Sequence, residues 1–336
     1  MDDRKLKILN SIIKSYTESK EPVGSRTLSK ETDIGVSAAT IRNDMSDLED
    51  LGYLVKVHSS SGRIPSNRGY RLYVDALLSD RVPFRNTSNE LIDTSGLNKS
   101  NEFDSVISNA TKILSAVTNY TSVAVIPESK NLLLKYINVV MLGPRDLVII
   151  YIYNTMTVRH EVIRLHTPVS LEKVNLINSI LNSSLINLNP EEIIEKLHSN
   201  MFEVLRLENQ TLDFLIPRIE EEVWKMGQPK TIYEGLGNIY KYNDLDIDGN
   251  RELIDYIVKD NPMLEILSRD NRQGLQIYIG EEIGLEELKD LSIISMTFNN
   301  RQGFNGKLAV IGPVVMEYDK VISDLLLIGR YIVESI

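Results

Sequence analysis

The stretch that most restricts the fold is GVSAATIRNDMSDLEDLGYLVKVHSSSGRIPS, residues 35–66. Ser37 stands before a run of small residues and suits a helix N-cap, because its hydroxyl can accept an N–H that the first turn leaves unpaired. Ile41, Met45 and Leu48 then recur at helical spacing, so one stripe of this helix must face a core. Gly52 stops the helix, Tyr53 to His58 alternates like a strand, and Ser59-Ser60-Ser61-Gly62 forms a slim tip before Arg63. Upstream, Leu6, Leu9, Ile13 and Tyr16 predict an amphipathic helix over residues 4–18. Pro22 and Gly24 break it, Ser25 starts a short second helix, and Gly35 makes a turn. Helix, short helix, turn, helix and hairpin, in that order, define a winged helix-turn-helix, and SNRGYRLYVDALL adds a further helix after it.

The chemistry of this segment suits double-stranded DNA. With Ile41, Met45 and Leu48 buried, the opposite face of the helix shows Ala39, Thr40 and Asn43, with Arg42 to one side. Small residues let a helix enter the major groove, arginine pairs with guanine and asparagine with adenine through two bonds each. Thr40 and the Ser37 end of the helix suit a phosphate or a thymine methyl. Ser60 and Gly62 belong to the wing tip, from which Arg63 is expected to reach the minor groove or a phosphate. Lys56, Arg68 and Arg71 are expected as phosphate clamps. The competing reading is a winged helix used only for protein contact. Its support is the acidic second half of the helix, Asp44, Asp47, Glu49 and Asp50, although these groups lie away from the N-terminal end.

A net charge of −10 over 336 residues argues against a polyanionic partner until the charge is divided. Residues 1–75 carry 12 basic and 11 acidic side chains, a net of +1; the remainder carries 25 and 36, a net of −11. A near-neutral head binds phosphates if its basic groups share one face. Cysteine is absent, which removes disulfides, thiol nucleophiles and zinc ribbons and fits a reducing compartment. The charged opening MDDRKLKILN does not read as a secretion signal, and no apolar run approaches the roughly 18 residues of a membrane span. The expectation is a cytoplasmic protein with no membrane partner.

The rest of the chain reads as α+β and multidomain. Residues 81–101, rich in Ser, Asn and Thr, are expected as a linker after a DNA-binding domain over 1–80. A helix over 102–120 precedes β-branched runs SVAVIPE, LLLKYINVVML, DLVIIYIY and MTVRHEVIRL. From about 170 to 226 the texture is helical, opened by Asn189-Pro190-Glu191-Glu192. Strands resume near 231 and at LQIYIG, SIISMTF and GKLAVIG, and the chain ends on a helix. Strands, a helical block and strands again suggest one α+β domain, 102–168 with 229–336, interrupted by a helical insertion over 169–228. Helix pairs of that size leave apolar faces over, which a second copy would cover.

The stretch EPVGSRTLSKETDIGVSAATIRNDMSDLEDLGYLVKVHSSSGRIPSNRGYRLYVDALL resembles the N-terminal domain of HrcA, the heat-inducible transcription repressor family. VTNYTSVAVIPE, YIGEE and GKLAVIGPVVMEYDKVI extend the resemblance over nearly the whole chain. It implies a winged helix followed by a GAF-like domain carrying an inserted dimerisation domain. It also implies a homodimer that binds an inverted-repeat (CIRCE) operator ahead of chaperone genes, with competence that depends on the chaperonin. Two segments depart from the family pattern: NNRQGFNG with Val314-Val315 replaces a Gly-rich turn and Thr-Arg, and SSSGR replaces TSAGR. A regulator whose GAF-like domain senses a small molecule is the alternative.

Other motifs carry less. Asp244, Asp246, Asp248 and Gly249 have calcium-loop spacing, but the preceding segment is Gly-broken, and Asp248 reads better as the cap of a helix through Val258. His160 and His166 lie on one strand face without further metal-ligand spacing. Gly235 and Gly237 are too sparse for a dinucleotide loop, and Trp224 reads as a core or interface anchor. No catalytic set and no cofactor site stands out.

Overall fold

The computed structural model describes residues 2–31, 35–57, 62–79, 103–126, 131–242, 246–269, 274–299 and 305–335. The expected linker 81–101 and Ser60 lie outside these residues, as does Asp244.

The N-terminal unit follows from local signals. Helix α1 (Asp3–Ser19) is capped by Asp2 and buries Ile8, Leu9, Ile12 and Ile13. After α2 (Ser25–Glu31), helix α3 (Ala38–Asp50) starts at Ser37, whose hydroxyl accepts the Thr40 N–H at 3.2 Å. Gly52 leaves α3 at φ +77°, a left-handed conformation that side chains disfavour. Strands β1 (Leu54–Lys56) and β2 (Arg63–Pro65) pair antiparallel with Lys56 opposite Arg63, and Val23 bridges to Arg63 from the other side. Helix α4 (Asn67–Ser79) closes the core with Tyr70 and Val74.

The second unit is a sheet covered on both faces. It comprises β3 (Thr121–Ile126), β7 (Lys230–Glu234), β8 (Leu275–Ile279), β9 (Leu291–Asn299) and β10 (Asn305–Pro313), in the antiparallel order β7-β3-β10-β9-β8. On one face Val123, Val125, Ile293, Ala309 and Ile311 meet α10 (Ile239–Tyr242), α11 (Ile247–Lys259) and α12 (Pro262–Ser268). On the other, Ala124, Ile294, Leu308 and Val310 meet α5 (Phe103–Thr118) and α13 (Tyr318–Ser335). Burial on both faces explains why β3 is apolar or small throughout rather than alternating. The cap of α11 is Asp246, which accepts the Gly249 N–H at 2.8 Å, and not Asp248 as the sequence suggested.

The insertion is larger than its sequence texture indicated. Strands β4 (Leu134–Met141), β5 (Asp146–Tyr153) and β6 (Val158–Arg164) form their own antiparallel sheet in the order β4-β5-β6 and do not join the sheet of β3. The expected core-domain range 102–168 is therefore corrected: residues 131–165 belong with the helices. The reason is that β3 already pairs with β10 on one side and β7 on the other, so it has no edge left for β4. Because β3 and β7 are adjacent and antiparallel, Ile126 opposite Lys230, the whole insertion occupies a hairpin loop and leaves the parent sheet intact.

Helices α6 (Leu171–Leu185), α7 (Pro190–Leu197), α8 (Asn200–Glu208) and α9 (Gln210–Gly227) share a core with the inward residues Ile137, Val139, Leu147, Ile149, Tyr151 and Ile163 of that sheet. The apolar faces expected to need a second copy are thus largely satisfied within the chain. Trp224 is not a core anchor in the single chain; it is 59% exposed on α9. His160 stands on β6, whereas His166 lies beyond it against Phe214.

Two asparagines one helical turn apart close an edge of this sheet. Asn178 accepts the Val139 N–H at 2.7 Å and donates to the Val139 carbonyl at 2.9 Å. Asn182 accepts the Ile137 N–H at 3.3 Å and donates to the Ile137 carbonyl at 2.5 Å. Side-chain amides on α6 thereby stand where a fourth strand would pair. Asn178→Ala is expected to lower the unfolding free energy by about 1–3 kcal/mol, the cost of leaving main-chain groups unmatched. Denaturant titration checks this; equal midpoints would show that water replaces the amide.

Candidate nucleic-acid interface

The first two turns of α3 carry the exposed face. Ala39, Arg42 and Asn43 are exposed, and Thr40 is half-buried. Among the described residues no side-chain hydrogen bond or ion pair holds Arg42 or Asn43. Ser37 behaves as a cap rather than a free donor, with its hydroxyl within 3.0 Å of the Thr40 hydroxyl as well. Ser46 continues the exposed stripe one turn on. The sequence reading missed it, although its spacing of three and four from Asn43 and Arg42 places it on that face.

The acidic half of α3 is turned inward. Asp44, only 4% exposed, receives the Arg4 guanidinium through two bonds, Nε at 2.8 Å and a terminal nitrogen at 3.1 Å. Asp47 pairs with Lys5 at 2.8 Å, and Glu49 with Arg63 at 2.6 Å. The hydrogen bonds to Asp44 and Asp47 raise the pKa values of Arg4 and Lys5 above their ordinary values. Three of the four carboxylates that argued for a protein-contact role are thus matched by cations from α1 and β2. The cation-rich start of α3 faces outward without a matching carboxylate.

Two expected phosphate contacts are corrected. The Arg63 side chain is 18% exposed and bound to Glu49, while its main chain exchanges two 2.9 Å bonds with Val23. It sits at the base of the wing, opposite Lys56, and ties the wing to α3. Arg71 faces the sheet domain: Nε donates to Glu282 at 2.8 Å, a terminal nitrogen donates to the Ile277 carbonyl at 2.6 Å, and a second short contact reaches Glu282. Lys20 donates to the Val315 carbonyl at 3.0 Å, and Tyr70 packs on Tyr318 with ring centroids 5.8 Å apart. Spacing alone does not reveal these partners, because each lies more than 200 residues away in the chain. Lys56 and Arg68 remain exposed, with the Arg68 guanidinium 4.9 Å from the centre of the Tyr53 ring. Arg26 and Lys30 on α2 are further exposed cations that the sequence reading did not single out.

Gly62 has a structural reason. A Cβ there would collide with the main chain of Pro22 and Val23, so only glycine lets the wing reach the Val23 bridge. Gly62→Ala is expected to destabilise the N-terminal unit by about 1–3 kcal/mol through overpacking. A lowered melting temperature checks this; an unchanged one would show that the wing shifts freely.

A capped helix with a free polar face, braced by a short helix and a two-stranded wing, is the arrangement of a helix-turn-helix transcription regulator. Residues 8–71 match the HTH domain model, and residues 104–322 match the model described as HrcA protein C terminal domain. The chain belongs to the HrcA family of heat-inducible transcription repressors. It is 34% identical to the heat-inducible transcription repressor HrcA of Lachnoclostridium phytofermentans over 97% of this chain and 94% of that one. Identity to the Bacillus pumilus repressor is 36%, covering 96% and 94%. The Symbiobacterium thermophilum repressor is 35% identical, covering 99% and 98%. A crystal structure of a hypothetical protein at 2.2 Å resolution shares the fold, with a TM-score of 0.70 at 23% identity, covering 100% of this chain and 97% of that one. Among the described residues no helix is long and apolar enough to cross a membrane.

Proposed function

We propose that this repressor binds, as a homodimer, an inverted-repeat operator of the CIRCE type ahead of chaperone genes in the cytoplasm. The observation that carries the reading is the α3 face of Ala39, Arg42 and Asn43, exposed while the acids behind it are paired inward. Arg42 and Asn43 read base edges, Ala39 and Thr40 permit close approach, and Lys56 and Arg68 hold phosphates, helped by Arg26 and Lys30 on α2. Repression follows from occupancy of the promoter and needs no chemistry. Two copies are required because one α3 spans one half-site, and an inverted repeat offers two related by a two-fold axis. The sheet domain is read as GAF-like, in keeping with its five antiparallel strands and two helical layers.

The chaperonin acts on the supply of competent repressor. A partner that assists the folded state raises the active fraction by mass action, and heat-unfolded clients that occupy it lower that fraction. This couples unfolded protein to gene release without a sensor ligand.

The test is binding to an inverted-repeat chaperone-promoter duplex and to a scrambled duplex, at two salt concentrations, with and without chaperonin. Arg42→Ala is expected to cost about 1–3 kcal/mol on the inverted repeat and much less on the scrambled duplex. Lys56→Ala is expected to weaken both duplexes alike and to reduce the salt slope by about 1. Equal affinity of the unaltered protein for the two duplexes would overturn the sequence-reading role of α3. Equal active fractions with and without chaperonin would overturn that part of the reading.

A further inference from the structure

The inserted sheet has two edges, and they are treated differently. The β4 edge is closed by Asn178 and Asn182. The β6 edge is open. Leu165 donates to the Arg145 carbonyl at 2.7 Å and Tyr153 to the Thr157 carbonyl at 3.0 Å, so the odd-numbered residues of this strand bond to β5. The N–H and C=O groups of Val158, His160 and Val162 therefore point away from β5. Val158 and Val162 are also 51% and 67% exposed. A regular strand edge bearing exposed valines is a template for another strand, and the fold has shielded only the opposite edge.

The sequence of the open edge is self-complementary. Val158-Arg159-His160-Glu161-Val162 reads the same from both ends except for opposite charges beside the centre. We infer that β6 pairs antiparallel with β6 of a second copy of this chain, with the two-fold axis at His160, joining two three-stranded sheets into one of six strands. In this register Val158 lies opposite the partner's Val162, and Arg159 opposite the partner's Glu161. Even-numbered residues meet even-numbered residues, so the free main-chain groups of the two edges face each other. A centre at Arg159 places two arginines opposite each other, and a centre at Glu161 places two glutamates; like charges at a close cross-strand position are unfavourable. Arg159 already bonds Asp104 at 2.9 Å, and Glu161 lies 3.6 Å from Arg218, so both side chains are held on the inward face where the second strand would present its own pair.

The inference rests on the homodimer reading and names its contact. Sedimentation of the full chain over a dilution series measures the dimer, and hydrogen exchange reports the main-chain amides of β6. Val162→Lys gives up little inside one chain and is expected to raise the dimer dissociation constant about ten-fold or more. Arg159→Glu and Glu161→Arg are each expected to weaken the dimer, and the double exchange to restore it to within about three-fold, as a pairwise charge contact requires. The His160 amide is expected to be protected in the dimer and to exchange freely on dilution. A monomeric wild-type chain would overturn the homodimer reading itself. A dimer indifferent to Val162→Lys, with the His160 amide exchanging freely, would overturn the strand pairing and leave the homodimer reading standing.

Discussion

The contact on which the N-terminal unit depends is the double bond between Arg4 and Asp44. It joins α1 to the back of α3 and matches a carboxylate that is almost wholly withdrawn from water. An unpaired charge in that position is costly, so the pair fixes how α3 rotates against the core. Lys5 with Asp47 and Arg63 with Glu49 extend the same device along the helix. A helix containing four carboxylates thereby offers its neutral and basic side outward. The overall negative charge of the chain does not determine what this surface meets, because charge acts locally within about a Debye length.

The remainder of the molecule is arranged by one hairpin. Strands β3 and β7 are neighbours in the central sheet, and the insertion hangs between them. Asp104 at the start of α5 binds both Arg159 of the insertion and Lys230 at the start of β7, fastening the insertion where it leaves the sheet. On the far side of the sheet, Arg71 caps the Ile277 carbonyl on edge strand β8, while Tyr70 lies against Tyr318. The reading unit and the insertion are thus both attached to one central sheet, by polar contacts at its margins.

Much of the winged helix was readable in the residues. Caps, glycine stops and apolar spacing act over a few positions, so Ser37, Gly52 and the stripe of Ile41, Met45 and Leu48 appear where the pattern puts them. The exposed face of α3 follows from the same period. Arg63 and Arg71 were misread because an exposed-looking arginine in sequence carries no record of a distant carboxylate. Glu49 lies one element away from Arg63, and Glu282 lies 211 residues from Arg71.

The sequence by itself determined the order of elements, the winged helix and the residues that face outward from α3, since those depend on local conformation and on which side chains avoid water. It also carried the family membership, through motifs spread along the chain. Only the tertiary structure decided that β4, β5 and β6 leave the central sheet for the insertion, and that two asparagines close one edge while the other stays open. Strand alternation identifies a strand but not its neighbour. That choice is made by long-range hydrogen bonding and by which sheet still has a free edge.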